Sequence, residues 1–172
     1  MTSFKLKVLT STTGNRKDSW NTPKEIIDDL LIFFDNSIDL DPCSDCDKNI
    51  PAKNHFDKEQ DGLSQEWIAD KVYMNHPYSQ SKLWIPYAVE QYEKNNAKEL
   101  ILLIKVDVST KWWNCIAHYP WIAVNKRLKF GHSSTGASFQ SAIVYLGINF
   151  NRFKDVFGKY GNLYISVASY QK

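Results

Sequence analysis

Cysteine is scarce here: the 172-residue chain has three, an odd number that excludes a fully paired disulfide framework of the secreted kind. Long apolar runs are missing too. Residues 99–106, ELILLIKV, form the longest, far short of the roughly 20 residues that a membrane-spanning helix needs. No secretory pattern stands at the N-terminus, so a reducing cytoplasm without membrane attachment is expected. Internal repeats and low-complexity tracts are absent. Acids almost vanish from the C-terminal part, where residues 101–172 hold nine Lys/Arg against Asp107 and Asp155 alone. Residues 18–70, by contrast, carry 14 acids and four bases, a separation hidden by the net charge of +2. Such asymmetry points to two surfaces with different partners, one of them polyanionic, or to uneven surface decoration. With 43% hydrophobic and 23% charged residues, the chain is not a disordered one. A single domain over residues 1–172 with a proper core is expected, as monomer or homodimer.

What is present reads as strands alternating with helices. In 22–35, TPKEIIDDLLIFFD, residues Ile26, Ile27, Leu30, Leu31 and Phe34 share a helical stripe. Thr22 is the expected N-cap, Pro23 the first helical residue and Glu25 the partner in a capping box. Further helices are expected at 80–96, at 109–118 capped by Ser109, and at 150–157. Strands are expected at 37–41, 71–75, 99–106, 120–124, 126–130, 141–147 and 162–168. The run 99–106 is apolar almost throughout, as a strand buried on both faces should be. Residues 1–19 read as a loose polar arm and 42–66 as a long functional loop. The alternation predicts an α/β fold, its sheet mainly parallel with an antiparallel edge. Ligands of such sheets sit beyond the carboxyl ends of the strands, which singles out DLDPCSD at 39–45 and YMNHPYS at 73–79.

The second of these segments contains Asn75-His76-Pro77-Tyr78. The exocyclic amine of a nucleobase is a poor nucleophile, because its lone pair is delocalised into the ring. To alkylate it, an enzyme must hold both N–H groups on acceptors, so that the nitrogen turns pyramidal and its lone pair faces the donor. Asn75 Oδ1 can accept one of these hydrogen bonds and the backbone carbonyl of residue 76 the other. The Tyr78 ring can stack on an extruded base. Fixed dipoles and alignment then lower the barrier without a strong base. Asn-x-Pro-Tyr after a strand also reads simply as a turn.

Five segments, WNTP at 20–23, DLDPCSD at 39–45, DGLSQEW at 61–67, VYMNHPYSQSKLW at 72–84 and KRLKF at 126–130, occur in one order. In this ordered set the chain resembles the phage-type DNA N6-adenine methyltransferase (Dam) family along nearly its whole length. That family pattern ends in N-P-P-Y, from which His76 departs. The resemblance implies a Rossmann-like class I sheet, DNA as partner and S-adenosylmethionine as cofactor, in a bacterial or phage-infected cell. It implies Asn75, His76, Pro77 and Tyr78 as catalytic residues, with Asn75 also facing the cofactor. Asp41 would hold the cofactor through a charge-assisted hydrogen bond, with Pro42 and Cys43 shaping the turn beneath it. Asp61 would accept from the cofactor's adenine amine, Leu63 packing nearby, while Trp20, Thr22 and Pro23 close over the same pocket. A separate recognition domain has little room, so 107–140 is expected to contact DNA through Lys111, Lys126, Arg127 and Lys129. Trp112 and Trp113 read equally as aromatic neighbours of that surface or as the core side of a helix.

Other readings stay open. His76 supplies a carbonyl as well as proline would, with its imidazole expected to face solvent. Its presence also fits a degenerate module that binds S-adenosylmethionine or DNA without turnover. Asn-x-Pro-Tyr serves other planar amines too, such as cytosine N4, glutamine or RNA adenine. Cys43 and Cys46, with His55 and His76, could make a zinc site; with one such pair only, no metal is expected.

Overall fold

The structure, a computed structural model, describes residues 20–131 and 135–167. The expected arm at 1–19, residues 132–134 of the expected DNA-contact region and the end of the expected strand at 162–168 lie outside the described residues. In chain order the elements are α1 (Lys24–Phe33), β1 (Ile38–Asp41), β2 (Ala52–His55), β3 (Ala69–Met74), α2 (Ser81–Glu93), β4 (Ala97–Lys105), α3 (Lys111–Ile116), β5 (Trp121–Val124), β6 (Ser141–Leu146), α4 (Phe150–Phe157) and β7 (Gly161–Tyr164). Among the described residues no helix is long and apolar enough to cross a membrane.

The seven strands form one sheet in the order β2-β1-β3-β4-β6-β5-β7. Strands β2, β1, β3 and β4 run parallel. β6 is antiparallel to both β4 and β5, and β7 is antiparallel to β5. The reversal therefore lies inside the sheet as well as at the β7 edge, deeper than the antiparallel edge expected. It has a positional consequence. β5 points the same way as β4, so the connection 125–140 from β5 back to β6 must cross the carboxyl end of the sheet, where β1 and β3 also end.

Side-chain alternation splits the core between the two faces. Tyr73, Ile101, Leu103, Ile143 and Tyr145 meet Ile26, Leu30 and Phe33 of α1 and Phe153 and Phe157 of α4. Val72, Met74, Leu100, Leu102, Ile104 and Val144 meet Trp84, Ile85 and Ala88 of α2 and Trp113 and Ile116 of α3. β4 thus feeds both cores, which explains its continuous apolar run; each such fully buried side chain contributes roughly 1.5–3 kcal/mol.

Four local expectations are corrected. The cap of α1 is Pro23, with no side-chain cap bond, because the Thr22 hydroxyl is drawn towards β3. Ser109 caps nothing: its hydroxyl donates to Asp107, and Thr110 stands at the cap position of α3. Residues 127–130 alternate in burial, Leu128 and Phe130 in, Arg127 and Lys129 out, with Lys126 also exposed, yet 126–130 form no strand. Both edges of β5 are already taken by β6 and β7, so the segment is a strap held by Ala137 N–H donating to the Leu128 carbonyl. Conversely β2 was hidden in the expected loop, since an edge strand reading AKNH has no apolar alternation to betray it.

A candidate active site at the carboxyl end of the sheet

Asn75 follows the last residue of β3, and its amide is held in one orientation. Nδ2 donates to the Trp20 carbonyl at 2.5 Å and to Thr22 Oγ1 at 3.1 Å. A backbone carbonyl can only accept, so the NH2 group must face it and Oδ1 must face away. Thr22 is itself fixed by Tyr73, whose phenol lies 2.8 Å from Oγ1 and stays protonated because burial raises its pKa far above the ordinary value. Oδ1 of Asn75 is buried and has no hydrogen-bond partner among the described residues, like Trp20 Nε1 and Asn21 Oδ1 beside it. An unmet buried acceptor costs about 1–3 kcal/mol. Three unmet polar atoms on neighbouring residues mark a place that a ligand or water completes.

The turn after β1 lies against this site. Asp41 is 5% exposed, and its Oδ1 accepts from the Cys43 backbone N–H at 3.2 Å. Burial pushes its carboxyl up to about 7, the charge of Asp45 adding to the effect and the Cys43 N–H opposing it. His55 Nδ1 lies 3.8 Å from Asp41 Oδ2, but burial lowers the His55 pKa, so near neutrality this contact is not an ion pair. The Cys43 thiol is pushed up by burial and by Asp41, with the Asn75 backbone N–H pulling the other way; Cys43 therefore bridges the ends of β1 and β3.

Pro42 is buried because the 61–63 turn sits on it. A Cβ added at Gly62 would stand 1.9 Å from the Pro42 carbonyl oxygen, so only glycine permits this approach. The Gly62 carbonyl is also held by Trp67 Nε1 at 2.9 Å. Asp61 is exposed, has φ 50°, and caps its own turn by accepting from Leu63 N–H and Ser64 Oγ. Leu63 packs with the core on the α2 face.

Tyr78 lies in an aromatic cluster. Its ring stacks on Trp20 with centroids 6.1 Å apart, and Phe139 stands edge-on to both rings at 5.0 and 5.3 Å. Phe130 packs edge-on as well, 5.3 Å from Trp20 and 6.2 Å from Tyr78. The strap 125–140 thus walls the tyrosine, while Lys126, Arg127 and Lys129 project outward. Lys126 pairs with Glu25 at 2.9 Å. Lys111 is exposed at the start of α3, whereas Trp113 is buried in the core and Trp112 is packed against it.

His76 is 1% exposed, so the expected solvent-facing imidazole is wrong. The ring lies under the loop with Nε2 2.9 Å from Ser81 Oγ. The four residues of the zinc reading go separate ways: Cys46 is exposed beside Asp47, His55 meets Ser44 and His76 meets Ser81. Among the described residues no group of three or more metal-ligating side chains gathers.

The site therefore unites Trp20, Thr22, Asp41, Cys43, Asn75 and Tyr78, with Asp61 and Leu63 held against the same turn by Gly62. Sequence reading missed Tyr73, Ser81, Phe130 and Phe139. Tyr73 could have been noticed as the one hydroxyl in the buried end of β3, between Val72 and Met74. Phe130 ends the segment KRLKF but carried no assigned role, and Phe139 carried no signal.

Comparison with known proteins is consistent along the chain. A Haemophilus phage HP1 protein named DNA N-6-adenine-methyltransferase is 32% identical over 129 residues, 73% of each chain. A protein of Escherichia phage T1 with the same name is 31% identical over 105 residues, covering 60% of this chain and 42% of the phage protein. The family model described as DNA N-6-adenine-methyltransferase (Dam) matches residues 9–168. That span takes in the tryptophan before α1, both acidic turns, the Asn75–Tyr78 tetrapeptide and the basic strap, and the chain belongs to the DNA N-6-adenine-methyltransferase (Dam) family.

Proposed function

We propose that this protein transfers a methyl group from S-adenosylmethionine to the N6 amine of adenine in DNA, on a Rossmann-like class I methyltransferase sheet. The observation that carries the reading is Asn75 Oδ1, a buried acceptor whose amide is pinned from behind and which no described residue satisfies. It is the acceptor an exocyclic N–H needs, already oriented before substrate arrives, so no reorganisation is required during reaction. The carbonyl of residue 76 takes the second N–H, and the Tyr78 face, walled by Phe130 and Phe139, takes the base plane.

The residues present fit the cofactor. Asp41 is a buried carboxyl whose Oδ1 accepts the Cys43 N–H and whose Oδ2 lies 3.8 Å from His55 Nδ1, and it would accept from a hydroxyl or ammonium group. Cys43 interacts with both Asp41 and Asn75, and the 61–63 turn packs on Pro42 between Asp41 and Cys43 in the chain. S-adenosylmethionine supplies a methyl group on a sulfonium, whose departure leaves a neutral thioether. Transfer there would join the amine nitrogen to the methyl carbon and leave the carbon–sulfur electron pair on the thioether. The nitrogen then gives one proton to solvent. Asn75 is no base, and its part is to hold the N–H so that the lone pair points at the methyl carbon. DNA phosphates meet Lys111, Arg127, Lys129 and Lys126, the last exchanging Glu25 for phosphate.

The test is nucleoside mass spectrometry of DNA incubated with the protein and isotope-labelled S-adenosylmethionine. N6-methyladenine with wild type and none with Asn75→Ala is the expected result. N4-methylcytosine would move the target to another amine. Cofactor binding with no methylated nucleoside on any DNA would make the chain a binding module.

A further inference from the structure

The loop Asn75-His76-Pro77-Tyr78 is held by more than its backbone, through the placement of one proton. Ser81, the first residue of α2, is 4% exposed and has one hydroxyl proton. Ser81 Oγ lies 2.8 Å from the Tyr78 carbonyl, which can only accept, so the proton is committed there. The contact of 2.9 Å between Ser81 Oγ and His76 Nε2 must then run the other way, with the imidazole donating. His76 is therefore the Nε2–H tautomer. Nδ1 carries the bare lone pair, buried and without a partner among the described residues. Burial alone lowers the His76 pKa to about 3, so the ring stays neutral and this tautomer persists. The ring edge also packs on Tyr78, centroids 5.6 Å apart at 72°.

We propose that His76 and Ser81 form a hydrogen-bonded clamp, His76 Nε2–H to Ser81 Oγ to the Tyr78 carbonyl, which positions the catalytic loop where relatives of the N-P-P-Y pattern use a second proline. The proposal rests on the methyl-transfer reading above. Proline at 76 would stiffen the loop by fixing one φ angle. Histidine leaves that angle free, and Pro77 restricts it only in part. The side-chain bridge closes residues 76–81 into a ring around Pro77 and Tyr78, so the residue 76 carbonyl and the Tyr78 face are set together. The His76 imidazole and Ser81 are thus positioning groups; of these two residues only the backbone carbonyl of residue 76 meets the substrate amine.

Two measurements decide it. In protein with 15N-labelled histidine, long-range proton–nitrogen correlation should show His76 protonated on Nε2, and Ser81→Ala should shift that nitrogen. A ring protonated on Nδ1, or one indifferent to Ser81→Ala, overturns the clamp. In methylation kinetics, Ser81→Ala should lower kcat about tenfold or more in wild type, with S-adenosylmethionine affinity within about twofold. In the His76→Pro background the same change should cost less than about threefold, because proline supplies the stiffness. His76→Gln, which keeps an N–H donor near the Nε2 position, should retain more kcat than His76→Ala. Equal loss in both backgrounds overturns the proposal. If wild type methylates no DNA, the methyl-transfer reading fails, and the imidazole spectrum alone decides whether the clamp exists.

Discussion

Asp41→Asn should make the protein more stable above neutral pH while weakening its hold on S-adenosylmethionine. Burial lifts the Asp41 carboxyl from 3.8 to about 7, so the folded state keeps its proton where the unfolded chain has lost it. The associated stability is fully present below about pH 4 and is lost as pH rises to about 7. At about 1.4 kcal/mol for each tenfold change in ionisation constant, the charged carboxylate costs the fold on the order of 4 kcal/mol above pH 7. Asparagine removes that cost and keeps an acceptor for the Cys43 N–H. Its new NH2 must find a partner near Ser44 or His55, and leaving it unmet returns about 1–3 kcal/mol. The net gain is then about 1–3 kcal/mol near pH 8, a rise in Tm of roughly 2–12 °C for a chain of this size. Near pH 4 the gain should vanish or reverse. Thermal unfolding of both proteins across this range measures the difference directly, and background titrations cancel in the comparison. A Tm difference that stays constant from pH 4 to 8 would refute the claim that an ionised, buried Asp41 is held at a cost.

The same carboxyl should make S-adenosylmethionine bind more tightly as pH rises from 6 to 8, with protons released on binding; calorimetry in buffers of different ionisation enthalpy reads both. Thr22→Val should leave the Asn75 amide held by the Trp20 carbonyl alone, lowering kcat roughly 5- to 150-fold with little change in cofactor affinity, whereas Thr22→Ser should keep most of the activity. Gly62→Ala must displace the 61–63 turn from the Pro42 carbonyl, and urea unfolding should report a destabilisation of about 1–3 kcal/mol or more. Reversing the charges of Lys126, Arg127 and Lys129 should weaken DNA binding across sequences. The salt dependence should flatten by about one in log–log slope for each phosphate that is no longer neutralised.

The framework was legible because its signals are local and repetitive. The apolar run of β4, the stripe of α1 and the acids ending β1 each carry their own evidence, and all three stand where expected. Failures came where a residue's partner is remote in sequence. Thr22 offers a good cap to α1, but a buried phenol 51 positions away and the Asn75 amide compete for its hydroxyl and win. His76 reads as a surface residue until Ser81, one helical start later, is seen to receive it. The alternation at 127–130 arises from a strap lying on aromatic rings, which imposes the same in–out rhythm as a sheet without its ladder. β2 was missed for the opposite reason, as a half-solvated edge strand held by backbone pairing with β1 needs no apolar pattern.

The two halves of the pocket have different mechanical origins. The Asn75 acceptor is anchored to the end of a central strand and to the segment entering α1, so it moves only if the sheet does. The wall formed by Phe130 and Phe139 hangs on a connection between strands, pinned by the Gly131 N–H on the Asn21 carbonyl and the Ala137 N–H on the Leu128 carbonyl. Substitution of Phe130 or Phe139 would consequently reshape what lies over Tyr78 without removing either hydrogen-bond partner of the Asn75 amide. Such a division separates what covers the Tyr78 ring from what orients the Asn75 amide.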